Sequence, residues 1–171
     1  MTTETANVVV RVDNRLIHGQ IAVTWKQALE FDAVVVPDDQ LVNDQLNKTI
    51  MNMALQSANL TGYFVSVSNG AKMIARLKRE HISLLGKPFR IFVVCRTPAA
   101  VRALVEAGTE AETVTLWNMF KQPGKQKIAG TVYMDQADLD DAAVIKQHVP
   151  DTSIQGSPYA KKIEIPTTLE E

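Results

Sequence analysis

Cysteine is almost missing from this 171-residue chain: Cys95 stands alone, which excludes an internal disulfide and a multi-cysteine zinc site. A prevailing charge is missing too. Eighteen Lys and Arg face 19 Asp and Glu for a net charge of -1, so no overall field directs the chain to nucleic acid or to an anionic membrane. No apolar run approaches bilayer-crossing length, and the opening Met-Thr-Thr-Glu-Thr lacks the basic start and apolar stretch of a signal peptide; both predict a cytoplasmic protein. The three histidines, His18, His81 and His148, are too scattered for a local metal motif, and no metal or cofactor is expected. Gly-rich phosphate loops of the GxGxxG and GxxxxGK[ST] types are absent, which ranks a nucleotide-dependent enzyme last. Repeats, low-complexity tracts and linkers are absent as well. What the chain does have is apolar residues, at 46%, enough for one substantial core; a single domain over 1–171 is expected, with short loose ends near 1–6 and 167–171.

The apolar residues alternate between two periods. Asn7 to Val12 is a β-branched run that predicts a buried strand, after which Ile21, Ala22, Trp25, Ala28 and Leu29 share one helical face. A second strand, Ala33 to Val36, ends at Pro37 and leads to a helix with Leu46, Ile50, Met53 and Ala54 on one side. Gly62 to Val67 predicts a third strand, followed by a helix buried through Ala71, Ile74 and Ala75. Arg90 to Cys95 predicts a fourth; Thr97 as N-cap, Pro98 at the first helical position and Gly108 past the end then outline a complete helix. Thr113 to Leu116 predicts strand five, Gln126 to Met134 an extended segment around Gly130, and Asp135 to Pro150 the last helix. Short strands are expected near Ser153 to Gln155 and Ile163 to Ile165. Such alternation predicts an α/β fold: a three-layer helix-sheet-helix sandwich with a mostly parallel central sheet. Ligands of such sheets bind at the carboxyl ends of the strands. The loops expected there are Asp13 to Gly19, Pro37 to Asn43, Ser66 to Gly70, Arg96 to Pro98 and Trp117 to Lys125.

The first of these loops crowds Arg11, Asp13, Asn14, Arg15, His18 and Gln20 around the exit of a central strand. Gly19 has no side chain and would let backbone amides close around an anion at the start of helix one. Arg15 offers a planar, permanently charged fork for phosphate oxygens. An imidazole beside an anion cradle suits phosphoryl transfer, since the neutral ring presents a nucleophilic nitrogen. The competing reading is that His18 caps helix one while Arg15 makes a surface ion pair.

Other candidates are weaker. Asp38 and Asp39 would serve as a base or a metal pair, or simply as helix caps. With Asp13 they suggest a phospho-aspartate receiver, but the end of strand three holds Ser66-Val67-Ser68 and no aspartate. Cys95 lacks an arginine six positions later, so a phosphocysteine loop is rejected in favour of a buried structural thiol. Lys121, Lys125 and Lys127 form either a solvated turn or a contact for an acidic partner, and Trp117 and Met119 are core or interface residues. His81 and His148 are expected at surface or packing positions.

The stretch Arg11-Val12-Asp13-Asn14-Arg15-Leu16-Ile17-His18-Gly19-Gln20 resembles the signature of enzyme IIB of the mannose/fructose/sorbose class of bacterial phosphoenolpyruvate-dependent sugar phosphotransferase systems. Asp38-Asp39 with Val42-Asn43-Asp44, Arg96-Thr97-Pro98 with Val101 and Leu104 to Gly108, and Asn118-Met119 with Gly124-Lys125 and Ile128 extend the resemblance over nearly the whole chain. It implies a phosphocarrier whose His18 accepts a phosphoryl group on Nδ1 from phosphohistidine of enzyme IIA. The group then passes to a sugar held by the membrane components IIC and IID, which would be separate polypeptides with this chain peripheral to them. Arg15 would clamp the phosphate, and Asp13 or Asn14 would hold the imidazole or Arg15 in place. Arg11, Gly19, Gln20, Asp38, Ser66, Trp117, Asn118, Met119 and Lys125 would serve the phosphate loop or the partner contact. Two positions depart from the family pattern: Asn14 replaces a common acidic residue, and Trp117 replaces a glycine. Asn118-Met119 resembles N-acetylgalactosamine or galactosamine systems. The alternative function is a non-catalytic phospholigand-binding or regulatory module using the same edge as an anion site.

Overall fold

A computed structural model describes residues 6–19, 21–81 and 88–171. Its central strands are the β-branched runs: β1 (Ala6–Val12), β2 (Ala33–Pro37) and β4 (Phe89–Cys95). Each is buried along most of its length, as parallel strands covered on both faces require. With β3 (Thr61–Val65), β5 (Thr113–Leu116) and β8 (Thr152–Ile154) they form a sheet in the order β3-β2-β4-β1-β5-β8, and every pairing in it is parallel. Ile163 makes only an isolated antiparallel bridge to Ile154 rather than a strand. Gln126 to Met134 is an antiparallel hairpin, β6 (Gln126–Ala129) and β7 (Val132–Met134), turning at Gly130.

Chain direction assigns the helices to faces. From β1 the chain moves outward to β2 and β3, and the crossovers carry α1 (Lys26–Leu29) and α2 (Gln45–Ser57). From β3 it travels back through β4 and β5 to β8, carrying α3 (Val67–Glu80), α4 (Pro98–Glu106) and α5 (Gln136–His148). Right-handed crossovers in opposite directions cover opposite faces. The packing follows: Trp25, Leu41 and Leu55 meet Val9, Val34, Phe92 and Val94 on one side, whereas Ile74, Leu104, Leu139 and Ile145 meet Val8, Val10, Val35 and Val93 on the other. Connections therefore leave β1 and its neighbours β4 and β5 toward opposite faces, which opens a crevice at the carboxyl end of β1.

Two sequence expectations need correction here. Helix one begins as a π-helical turn, Ile21–Trp25, and only its last four residues are α-helical. In α2 the stripe of Leu46, Ile50 and Met53 faces solvent, while Leu55, with Met51 and Ala54, packs on the sheet. Both stripes have helical spacing, so periodicity finds them without saying which one turns inward.

The capping residues of α4 are as read: Thr97 Oγ1 accepts from Ala100 N and Pro98 opens the helix. The chain end runs back along α5, where Gln136 donates to Thr167 O and Leu169 N donates to Gln136 Oε1. His81 stacks on Phe89, a packing role. Cys95 is fully buried at the end of β4, and burial pushes its thiol far above the ordinary range. Native protein should therefore resist a thiol reagent at about pH 8 while urea-unfolded protein reacts at once. Equal rates in the two states would refute the buried-thiol assignment.

Candidate functional site

The crevice at the end of β1 holds the His18 loop. Asp13 N donates to Cys95 O, continuing the sheet ladder by one residue, and Leu16 N then donates back to Asp13 O to close a turn. Leu16 adopts φ 57°, a left-handed conformation unusual for a bulky residue, and is held there by complete burial of its side chain. Ile17 is buried beside it. Two apolar anchors thus lock the loop to the core and turn Arg15 and His18 toward the open edge.

His18 is partly exposed, with one-fifth of its side chain accessible, and its Nε2 lies 3.0 Å from Oδ2 of the fully buried Asp13. Two lone pairs do not face each other at that distance, so Nε2 carries a hydrogen and donates it to the carboxylate; the tautomer is assigned from this partner. Nδ1 then bears the lone pair, and no hydrogen bond to it is found among the described residues. Arg15 Nη2 lies 3.3 Å from the same Nε2. With Nε2 already a donor, that contact is a close approach, and the guanidinium keeps its own donors for another acceptor.

Asp13 is itself fixed from two further directions. Its Oδ1 accepts from Arg15 N at 2.8 Å, and its Oδ2 accepts from Asn118 Nδ2 at 2.8 Å. Asn118, at φ 47°, is held by Thr131, whose hydroxyl accepts from Asn118 N and donates to Asn118 Oδ1. Asn14 turns away from the histidine. It donates to Arg96 O at 2.8 Å and accepts from Phe120 N at 2.8 Å, a donor-and-acceptor task that a carboxylate could not perform. Between the two residues left open by the sequence, the imidazole is bonded by Asp13.

Arg11 lines the cleft beside His18 without reaching the open edge: β-strand alternation points it inward with Val9, and it is 2% exposed. Its Nη1 donates to Thr115 Oγ1 and to Gln155 O, its Nη2 donates to Gly156 O, and its guanidinium lies 4.4 Å over the Trp25 ring. Nε is buried without an acceptor. Burial pushes Arg11 down to about 10, with the Asp13 charge opposing, so it stays cationic at neutral pH. Asp38 makes a two-pronged pair with Arg96, at 3.0 and 2.8 Å, and accepts from Leu41 N. That pair raises Arg96 above its ordinary value, and Arg96 Nη1 in turn donates to Asn14 O, so Asp38 braces the loop from behind.

Ser66 follows the edge strand β3, three strand spacings (roughly 14 Å) from β1, and contacts Ser68. Met119 is in the core, and Lys125 pairs with Asp138 at the start of α5. Gly19 is not sterically required: a Cβ there would meet nothing within 4 Å. Gln20 lies outside the described residues. Trp117 fits against two glycines, with a Cβ on Gly130 falling 2.3 Å from its ring and one on Gly156 falling 3.0 Å away.

The cleft beside His18, of about 120 Å³, is lined by Arg11, Asp13, Arg15, Thr24, Trp25, Trp117, Asn118, Gly156 and Ser157, among others. Thr24, Gly156 and Ser157 were not legible as site residues. Thr24 is one polar residue on a helix read by its apolar face, and Gly156 and Ser157 reach the site only because β8 pairs with β5.

A family model described as "PTS system sorbose subfamily IIB component" matches residues 7–170. The chain belongs to this IIB family. Among curated relatives of the IIB chain, it is 33% identical over 159 residues to the N-acetylgalactosamine-specific phosphotransferase enzyme IIB component 1 of Escherichia coli K12, covering 93% of this chain and 96% of that protein. The sorbose-specific EIIB component of Klebsiella pneumoniae is 25% identical, over 75% of this chain and 74% of that one. The crystal structure of the Escherichia coli N-acetylgalactosamine-specific IIB component 1 superposes with a TM-score of 0.83 at 34% identity, covering 94% of this chain and all of that one. IIB components are phosphotransferases of a sugar-uptake system, and the parallel sheet flanked by helices is their fold. Among the described residues no helix is long and apolar enough to cross a membrane, and no group of three or more His, Cys, Asp or Glu could hold a metal ion.

Proposed function

We propose that the IIB chain accepts a phosphoryl group on His18 Nδ1 from phosphohistidine of enzyme IIA and delivers it to a sugar held by the membrane components IIC and IID. The observation that carries this reading is the Asp13–His18 bond at Nε2 of a cleft-lining histidine, which would leave Nδ1 as the nucleophile. In the first step the Nδ1 lone pair attacks phosphorus, and the donor's phosphorus–nitrogen bond breaks with its electron pair returning to the donor imidazole. The Nε2 hydrogen stays between His18 and Asp13, and the positive charge that develops on the ring is met by the buried carboxylate. In the second step a sugar hydroxyl oxygen attacks the phosphorus, the bond to His18 Nδ1 breaks, its electron pair returns to the ring, and the hydroxyl proton passes to solvent. Phosphoryl transfer demands positioning and charge neutralisation above all, which Arg15 with its free donors supplies.

The protein would work in the cytoplasm, against the inner face of its transporter. An N-acetylgalactosamine-type sugar is the favoured substrate, because the identity to relatives specific for that sugar exceeds the identity to the sorbose-specific relative. Incubation with phosphoenolpyruvate, enzyme I, HPr and cognate enzyme IIA should label each chain with one acid-labile phosphate. Nitrogen-15 and phosphorus-31 NMR should place it on Nδ1 of His18. Binding of sugar phosphates with no such label would favour the non-catalytic module instead.

A further inference from the structure

Two hydroxyl groups in the His18 cleft have no part in the scheme above. Thr24, on the π-helical turn, and Ser157, beyond β8, are both half-buried, both line the cleft, and neither side chain has a hydrogen-bond partner among the described residues. Their segments are far apart in sequence yet are fixed by one side chain. Arg11 holds the Ser157 side through Gln155 O at 2.8 Å and Gly156 O at 2.9 Å, and holds the Thr24 side by lying over Trp25. Trp25 is steadied in turn by stacking on Phe92. On the Ser157 side the indole of Trp117 rests against Gly156 so closely that a Cβ would not fit without displacement. A buried cation in a central strand is costly, and here its fork is committed to the backbone of one wall and its face to an aromatic ring of the other. The arrangement fixes the separation of the two hydroxyls.

Size then selects what they bind. A cleft of about 120 Å³ lies well under the roughly 300–1,000 Å³ of sites that enclose drug-sized molecules, a size suited to a phosphoryl group rather than to an enclosed sugar. A phosphoryl group in transfer spreads negative charge over three equatorial oxygens, each needing donors. Arg15 faces the cleft with uncommitted cationic donors, and Thr24 and Ser157 add two neutral ones. We infer that the Thr24 and Ser157 hydroxyls donate hydrogen bonds to the oxygens of the phosphoryl group carried by His18, with Arg11 as the positioning residue that holds both walls. The inference rests on the proposed phosphorylation of His18.

Thr24→Val, Ser157→Ala and the double variant, with Thr24→Ser as the conservative control, test it in the reconstituted phosphorelay. Each single loss should slow phosphoryl uptake about tenfold and the double about 100-fold, as expected for hydrogen bonds to a charged group. The phosphorus-31 resonance of phosphohistidine should move in Thr24→Val and return in Thr24→Ser, a signature that a merely structural role would not give. If Thr24→Val fails to fold, Ser157→Ala and the phosphorus resonance decide alone. Uptake within twofold of the parent and an unmoved resonance, with His18 still labelled, would overturn the inference and leave the carrier reading standing. Label on a residue other than His18 would instead overturn that reading, and this inference with it.

Discussion

Asp13→Asn should take up the phosphoryl group about 100-fold more slowly than the parent, and His18→Ala should take up none. The Asp13 carboxylate is fully buried and accepts from His18 Nε2, Arg15 N and Asn118 Nδ2. An asparagine retains the shape and one acceptor oxygen but loses the charge that faces the ring. As Nδ1 bonds to phosphorus the ring becomes cationic, so the lost interaction matters more in the transition state than in the ground state. A hydrogen bond to a charged group is worth about 1.5–3 kcal/mol, which corresponds to roughly 10–150-fold in rate. The asparagine amide must also choose between Nε2 and Asn118, which loosens the tautomer assignment. Rapid-quench measurement of acid-labile phosphate gives the rate, and nitrogen-15 shifts of the His18 ring should show Nδ1–H appearing in the variant. An unchanged rate would remove Asp13 from the mechanism, and normal labelling of His18→Ala would remove the site.

A second large effect is expected outside the His18 loop. Gly130 has φ 51° at the turn of the β6–β7 hairpin, and an added Cβ would lie 2.3 Å from Cη2 and 2.7 Å from Cζ3 of Trp117. Gly130→Ala therefore combines a left-handed alanine, costing about 1–2 kcal/mol, with overpacking of about 1–3 kcal/mol. The sum, about 2–5 kcal/mol, lowers Tm by about 4–20 °C for a chain of this size. Displacement of the indole should also disturb the cleft, since Trp117 is one of its walls. Trp117→Ala removes the clash but not the backbone cost, so the double variant should recover about 1–2 kcal/mol relative to additivity. Thermal melts of the four proteins close the cycle, and strict additivity would mean that the ring and the turn are independent. The indole stands where Gly130 and Gly156 leave room for it.

The architecture was largely legible because its signals are local. The β-branched runs of β1, β2 and β4, the Thr97-Pro98 start of α4 and the Asp135 start of α5 each lie within a few residues and need no distant partner. The loop Asp13 to Gly19 was legible for the same reason, whereas its anchoring by the buried Leu16 and Ile17 was not read from the sequence. Helix two was less so, because its two apolar stripes have the same period and only the neighbouring strand decides between them.

By itself the sequence determined the parallel α/β sandwich and marked the exit of β1, with His18, as the place to look for chemistry, since each depends on periodicity or on contiguous residues. Only the tertiary structure decided what surrounds that histidine. Asn118 reaches Asp13 and Gln155 and Gly156 reach Arg11 from more than 100 residues away, because β5 and β8 pair successively beside β1. The choice of Asp13 over Asn14 depends on a backbone turn that sends adjacent side chains in opposite directions, and Arg11 is committed inward by the pleat of its strand. Hydrogen bonds of this kind are fixed by strand order and register, which no local pattern encodes.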